Sequence, residues 1–159
     1  MKAQILFPKD EPYMLGFIVG NLPRFEKTLR QKAPSYIKGR LVCVELDLRE
    51  QWEILVGLEL LTQLDEVYLA SHPKTKPLYK SGVKYLIEAP GLEEWLTIPV
   101  LYERGVGDCE DLACALCAEK RFRGIACDPF VSKKGHVWHV MSRCGDLIED
   151  PSRVLGMGR

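Results

Sequence analysis

Gly107-Asp108-Cys109-Glu110-Asp111-Leu112-Ala113 places a cysteine where a helix begins. Trp138-His139-Val140 and Glu149-Asp150-Pro151-Ser152 follow toward the C-terminus. Cysteine, then histidine, then aspartate is an order in which a thiol nucleophile, its base and the group orienting that base can be delivered. The thiolate is the reactive form, so Cys109 needs local positive potential. Unpaired N–H groups and the macrodipole of a helix's first turn supply one, and the residue's own N–H points where an oxyanion would form. These effects lower the Cys109 pKa, whereas Asp108, Glu110 and Asp111 push it up. A base that turns cationic on taking the thiol proton must therefore stand close.

Of the three histidines, His72 lies in a Ser-His-Pro-Lys turn and is set aside, leaving His136 and His139. A hairpin turning at Cys144-Gly145 would place Arg143 opposite Asp146 and, counting outward, His139 opposite Asp150. Directly opposed residues share a face, with Cβ atoms about 4.5–5.5 Å apart. His136 meets no acid in that register and points to the other face of the strand. His139 is the expected base, with His136 as the alternative.

These residues need elements to position them. Asp108 reads as an N-cap with Asp111 three positions on, so a helix should run from Cys109 to about Phe122 and stop at Gly124. Three extended runs follow, Ile125 to Ser132, Gly135 to Arg143 and Leu147 to Asp150. Together they imply an α+β fold with the nucleophile helix packed on an antiparallel β-meander. Upstream, Ala3 to Phe7 and Arg40 to Asp47 read as strands. Pro12 to Arg30 reads as a helix interrupted near Gly20 or Pro23, and Leu48 to Ala70 shows helical spacing. Val83 to Ile87 is read as extended and Glu93 to Leu101 as a short helix.

The chain has 159 residues, 47% of them apolar, which suits one compact domain. Its 22 basic and 22 acidic side chains cancel, so no basic footprint for nucleic acid or anionic lipid is present. No apolar run is long enough for a membrane span and the N-terminal one is too short for a signal peptide, so a cytoplasmic location is expected. Without export, the six cysteines (Cys43, Cys109, Cys114, Cys117, Cys127, Cys144) are expected to be reduced. The spacing Cys109-x4-Cys114-x2-Cys117 matches an iron–sulfur run, but its helix-forming context would spread the thiols around a rod. No metal or other cofactor is expected.

From about Leu78 to the C-terminus the chain resembles the transglutaminase-like cysteine peptidase superfamily, most closely its small bacteriophage and prophage members. The resemblance is carried by Leu78-Tyr79-Lys80-Ser81-Gly82-Val83-Lys84-Tyr85, Glu94-Trp95-Leu96-Thr97-Ile98-Pro99, Gly107 to Ala113, Trp138-His139-Val140, Ile148 to Arg153 and Leu155-Gly156-Met157. It implies a papain-like core over 78–159, with 1–75 as an N-terminal α/β extension that covers or completes it. It also implies Cys109 as nucleophile, His139 as general base and acid, and Asp150 as orienter. The wider family pattern, His-x-Trp, would select His136-Val137-Trp138 instead. The implied reaction is acyl transfer on a peptide or isopeptide amide through a thioester. Water as acceptor gives a peptidase or amidase, and an amine gives a crosslinker. A role in virion assembly or protein processing follows from the phage-type likeness. The alternative is a non-catalytic peptide-binding or assembly module retaining the fold. Trp95, Tyr102 and Gln51 are candidate second oxyanion donors by residue type, and Trp138 is a candidate wall of the acyl site.

Overall fold

The computed structural model describes residues 1–159 and is of mixed α+β type. Its first half is built on β1 (Lys2–Pro8), α1 (Pro12–Leu29), β2 (Ser35–Lys38), β3 (Leu41–Asp47) and α2 (Gln51–Ser71). α1 runs unbroken through Pro23 rather than stopping there. The missing N–H at Pro23 is outweighed by the stripe of Met14, Ile18, Leu22, Phe25 and Leu29, which buries one side of the helix along its length. α2 begins at a capping box in which Glu53 reaches back to the N–H groups of Arg49 and Glu50.

The second half contains a short 3-10 turn (Leu78–Lys80), β4 (Lys84–Tyr85), β5 (Glu93–Leu96), α3 (Ile98–Arg104) and β6 (Val106–Gly107). It continues with α4 (Cys109–Phe122), β7 (Asp128–Lys134), β8 (Val137–Cys144), β9 (Leu147–Glu149) and α5 (Pro151–Val154). Glu93 to Leu101 is therefore a strand and a helix rather than one helix. Glu93–Leu96 pairs in parallel with Ala3–Leu6, which inserts Trp95 into the core, and α3 starts afresh beyond Thr97 with Pro99 in its first turn.

Residues 1–75 share one core with the rest of the chain. β5 completes a sheet of order β2-β3-β1-β5, and α2 packs on α4. One continuous apolar core runs from Ile5 and Phe7 through Leu58 and Leu61 to Ala113, Val131 and Val140. α4 in turn packs on β8, the middle strand of the antiparallel meander β7-β8-β9. Arg121 ties the C-terminal end of α4 to its neighbours, donating to Glu59 and Glu66 of α2, to Asp128 and to the Cys127 carbonyl.

Both turns of the meander have two residues with glycine first. Gly135-His136 joins β7 to β8 and Gly145-Asp146 joins β8 to β9, with φ of 64° at Gly135 and 63° at Gly145. Glycine in the first central position with positive φ is the type II′ arrangement, which explains why the second turn falls one residue later than Cys144-Gly145.

The expectation that all six thiols are free is also corrected. Cys127 and Cys144 form a disulfide, with Cα atoms 4.1 Å apart. The pair Asp128↔Arg143 puts these two cysteines directly opposite each other at the end of the β7–β8 ladder, within bridging range. Cys43, Cys109, Cys114 and Cys117 are free.

Candidate active site

β6 leads directly into α4, and Gly107 is required there by space. A Cβ at Gly107 would run into Leu101 Cδ1 and lie 3.0 Å from Asp111 Oδ2. That closeness lets Asp111 accept two backbone N–H groups, from Leu96 at 2.7 Å and from Asp108 at 3.1 Å. The fully buried carboxylate thus pins the end of β5 to the start of α4 and sets where Cys109 sits. Burial, and then the nearby Asp108, hold Asp111 well above the ordinary carboxylate range.

The structure brings His139 and Asp150 together. His139 Nε2 is 2.9 Å from Asp150 Oδ2, both side chains being mostly shielded, and Arg153 Nε approaches the same oxygen at 3.4 Å. The contact does not arise from the expected direct pairing. β9 pairs as Cys144↔Leu147, Arg143↔Ile148 and Ser142↔Glu149, so the register continues to Met141, not His139, opposite Asp150. The displacement is two residues, which preserves the face, and His139 reaches Asp150 diagonally past the end of the ladder. With Nε2 donating to the carboxylate, Nδ1 is the ring nitrogen left for a thiol.

Cys109 lies at the first position of α4, against the edge of β8 that β9 leaves uncovered beyond Ser142. The Val140 backbone N–H faces its sulfur and favours the thiolate. His139 is the preceding residue on that strand. The thiol itself donates to Glu110 Oε2 at 3.3 Å rather than to His139. Burial raises the Cys109 thiol far above its usual range, and the charges of Glu110 and then Asp108 add to the rise. Burial and the two carboxylates thus act against the lowering that the backbone donors at the helix start supply. Glu110 is itself buried beside Asp108, and its carboxyl is raised as well, by burial and then by the hydrogen bond with Asp108.

The remaining candidates are dispersed. His136 is exposed at the tip of the β7–β8 hairpin, not on a strand, because Gly135-His136 forms the turn. Trp95 is fully buried under β5 against Gly57, with its indole N–H directed to Glu93 at 3.3 Å. The Tyr102 hydroxyl donates to the Lys76 carbonyl, and Gln51 is exposed at the start of α2. The Trp95 and Tyr102 donors are thus both engaged within the protein. Trp138 is half-buried on β8 next to His139, with Lys133 Nζ 4.7 Å from its ring centroid. Cys114 and Cys117 are buried along α4, Cys114 donating to the Leu58 carbonyl at 3.5 Å, and no group of three or more His, Cys, Asp or Glu side chains is arranged to hold a metal ion.

Two features had no reading in the sequence. One is the staple made by Asp111, whose spacing from Asp108 signalled a cap but not the second strand it holds. The other is a cleft of about 460 Å³ lined by Leu86, Ile87, Glu88, Leu92 and Leu96 that reaches Gly107, two residues before Cys109. Burial raises the Glu88 carboxyl there to about 7, and the negative charges nearby add to the rise. No helix is long and apolar enough to cross a membrane. The chain matches no family model, no curated protein and no solved structure.

Proposed function

We propose that the protein is a thiol-dependent acyl-transfer enzyme of transglutaminase-like, papain-like type that acts on a peptide or isopeptide amide, with water as acceptor. The observation that carries this reading is the 2.9 Å His139–Asp150 contact on the strand whose next residue, Val140, faces the Cys109 sulfur at the head of α4. In the resting state the thiol is protonated and held by Glu110. On substrate binding the thiol turns from Glu110 to His139 Nδ1. His139 takes the proton as sulfur attacks the carbonyl carbon, and Asp150 stabilises the imidazolium so formed. The S–C bond forms, the carbonyl π pair moves to oxygen, and the Cys109 backbone N–H receives the oxyanion. Collapse expels the amine, which takes the proton from His139, and water then releases the thioester by the reverse use of the same base. An apolar residue beside the scissile amide would lie in the cleft that ends at Gly107. The phage-type resemblance supports a role in virion assembly or in processing a viral or host protein.

A second reading, a peptide-binding or assembly module without catalysis, is favoured by the hydrogen bond of Cys109 to Glu110 rather than to His139. Incubation with p-nitrophenyl acetate followed by peptide mapping separates the two. The enzyme reading expects acetylation of Cys109 ahead of Cys43, Cys114 and Cys117, with steady release of acetate afterward. If Cys109 stays unmodified while the protein is folded, the binding module stands in its place.

A further inference from the structure

Acyl transfer through a tetrahedral oxyanion uses more than one hydrogen-bond donor, and of the residues selected by type the Trp95 and Tyr102 donors are occupied by Glu93 and the Lys76 carbonyl while Gln51 is exposed at the start of α2. The backbone places Tyr85 beside the segment that enters Cys109. Its strand β4 pairs with β6 in the register Tyr85↔Gly107, and the Leu86 N–H donates to the Gly107 carbonyl at 2.8 Å. On its other edge the Tyr85 N–H donates to the Leu155 carbonyl at 2.9 Å, at the end of the helix that begins after Asp150. The backbone of Tyr85 is thereby bonded between the segment that runs into Cys109 and the segment that runs out of Asp150. Its ring is half-buried and packs against the apolar cluster that includes Leu78, Leu101 and Leu112.

The Tyr79 hydroxyl is occupied by Glu149 and the Tyr102 hydroxyl by the Lys76 carbonyl, but no protein acceptor holds that of Tyr85. Burial raises its pKa, and the charge that adds most to the rise is Cys109, ahead of Asp108, Glu110 and Asp150. It is therefore a neutral O–H that stays protonated and stands within the field of the nucleophile.

We propose that the Tyr85 hydroxyl is the second oxyanion donor, hydrogen-bonding the substrate carbonyl oxygen as Cys109 attacks; this rests on the acyl-transfer reading of the same site. As the S–C bond forms and the π pair moves to oxygen, the O–H of Tyr85 strengthens its bond to that oxygen, opposite the Cys109 N–H. No proton leaves Tyr85. When the intermediate collapses, the carbonyl re-forms and the donor relaxes.

The test compares two reagents on the full chain, native and Tyr85→Phe. p-Nitrophenyl acetate is attacked at a carbonyl and builds an oxyanion, whereas iodoacetamide is attacked at a saturated carbon and builds none. The account expects acetylation of Cys109 to fall roughly 100-fold in Tyr85→Phe, as for loss of one oxyanion donor, while alkylation stays within about twofold. Tyr102→Phe, which removes a hydroxyl bound elsewhere, should leave both rates unchanged. Equal losses with both reagents, or no loss with either, would overturn the role of Tyr85. If native Cys109 is alkylated but never acetylated, the acyl-transfer reading fails first and the Tyr85 role falls with it.

Discussion

Replacing Glu110 by Gln should make Cys109 a far better nucleophile, and the size of the effect follows from one distance. Glu110 Oε2 lies 3.3 Å from the Cys109 sulfur, and the pair is largely shielded from solvent. Two unit negative charges at that separation repel by about 5 kcal/mol at an effective dielectric of 20 and by about 1.3 kcal/mol in bulk water. Burial and its hydrogen bond with Asp108 raise the pKa of Glu110 itself, which reduces the charge it presents to the thiol. The lower part of that interval is therefore the appropriate one, about 1.4–2.8 kcal/mol, or about one to two pH units in the thiol's midpoint. Gln preserves shape and an acceptor oxygen while removing the charge. The assay is the iodoacetamide rate at Cys109 against pH, followed by peptide mass spectrometry in native protein and Glu110→Gln. A midpoint lower by one to two units is expected. An unchanged or higher midpoint would refute the assignment of Glu110 as the group that holds the thiol protonated.

Gly107→Ala would force a methyl group into Leu101 and the Asp111 carboxylate, so thermal or urea unfolding should show a loss of about 1–3 kcal/mol. Glu88, Asp65, Glu110 and Asp111 all have pKa values raised on folding, so each favours the folded state at low pH and withdraws that support as pH rises. For Glu88 the window runs from its ordinary 4.5 to about 7, and Tm should fall across that interval; a flat or rising Tm would contradict the burial of these carboxyls. Reducing the Cys127–Cys144 bridge, which spans 17 residues, should lower unfolding free energy by about 3 kcal/mol on the loop-closure estimate, read by urea unfolding with and without reductant.

How far the site could be read from sequence differs residue by residue. The start of α4 at Cys109 was legible because Asp108 and Asp111 are local capping signals, needing nothing beyond one turn of helix. The meeting of His139 with Asp150 was legible for a more fragile reason. The turn was expected one residue too early, at Cys144-Gly145, yet the resulting error in register is two residues, and a strand's period of two leaves both side chains on the same face. An error of one residue would have separated them. The opposed influences on Cys109, a helix N-terminus and adjacent carboxylates, are visible in sequence, whereas the burial of the thiol and the fold of Glu110 onto it are tertiary. The same holds for β5. Glu93-Glu94-Trp95-Leu96 carries no alternation that marks a strand, and it becomes one because β1 offers an open edge and the core accepts Trp95. Pro99, a first-turn residue of α3, was the available sign that the helix begins later. The disulfide required knowing that Cys127 and Cys144 are opposed across β7 and β8.

Whether Cys109, His139 and Asp150 act as one catalytic unit is read from the rate of Cys109 acetylation by p-nitrophenyl acetate in His139→Ala, Asp150→Asn and the double variant. The account predicts a loss of at least about 100-fold in His139→Ala, a smaller loss in Asp150→Asn, and a double variant no slower than His139→Ala, because the carboxylate works only through the imidazole. A His139→Ala rate equal to that of the native protein, or a double variant in which the two losses multiply, would contradict it.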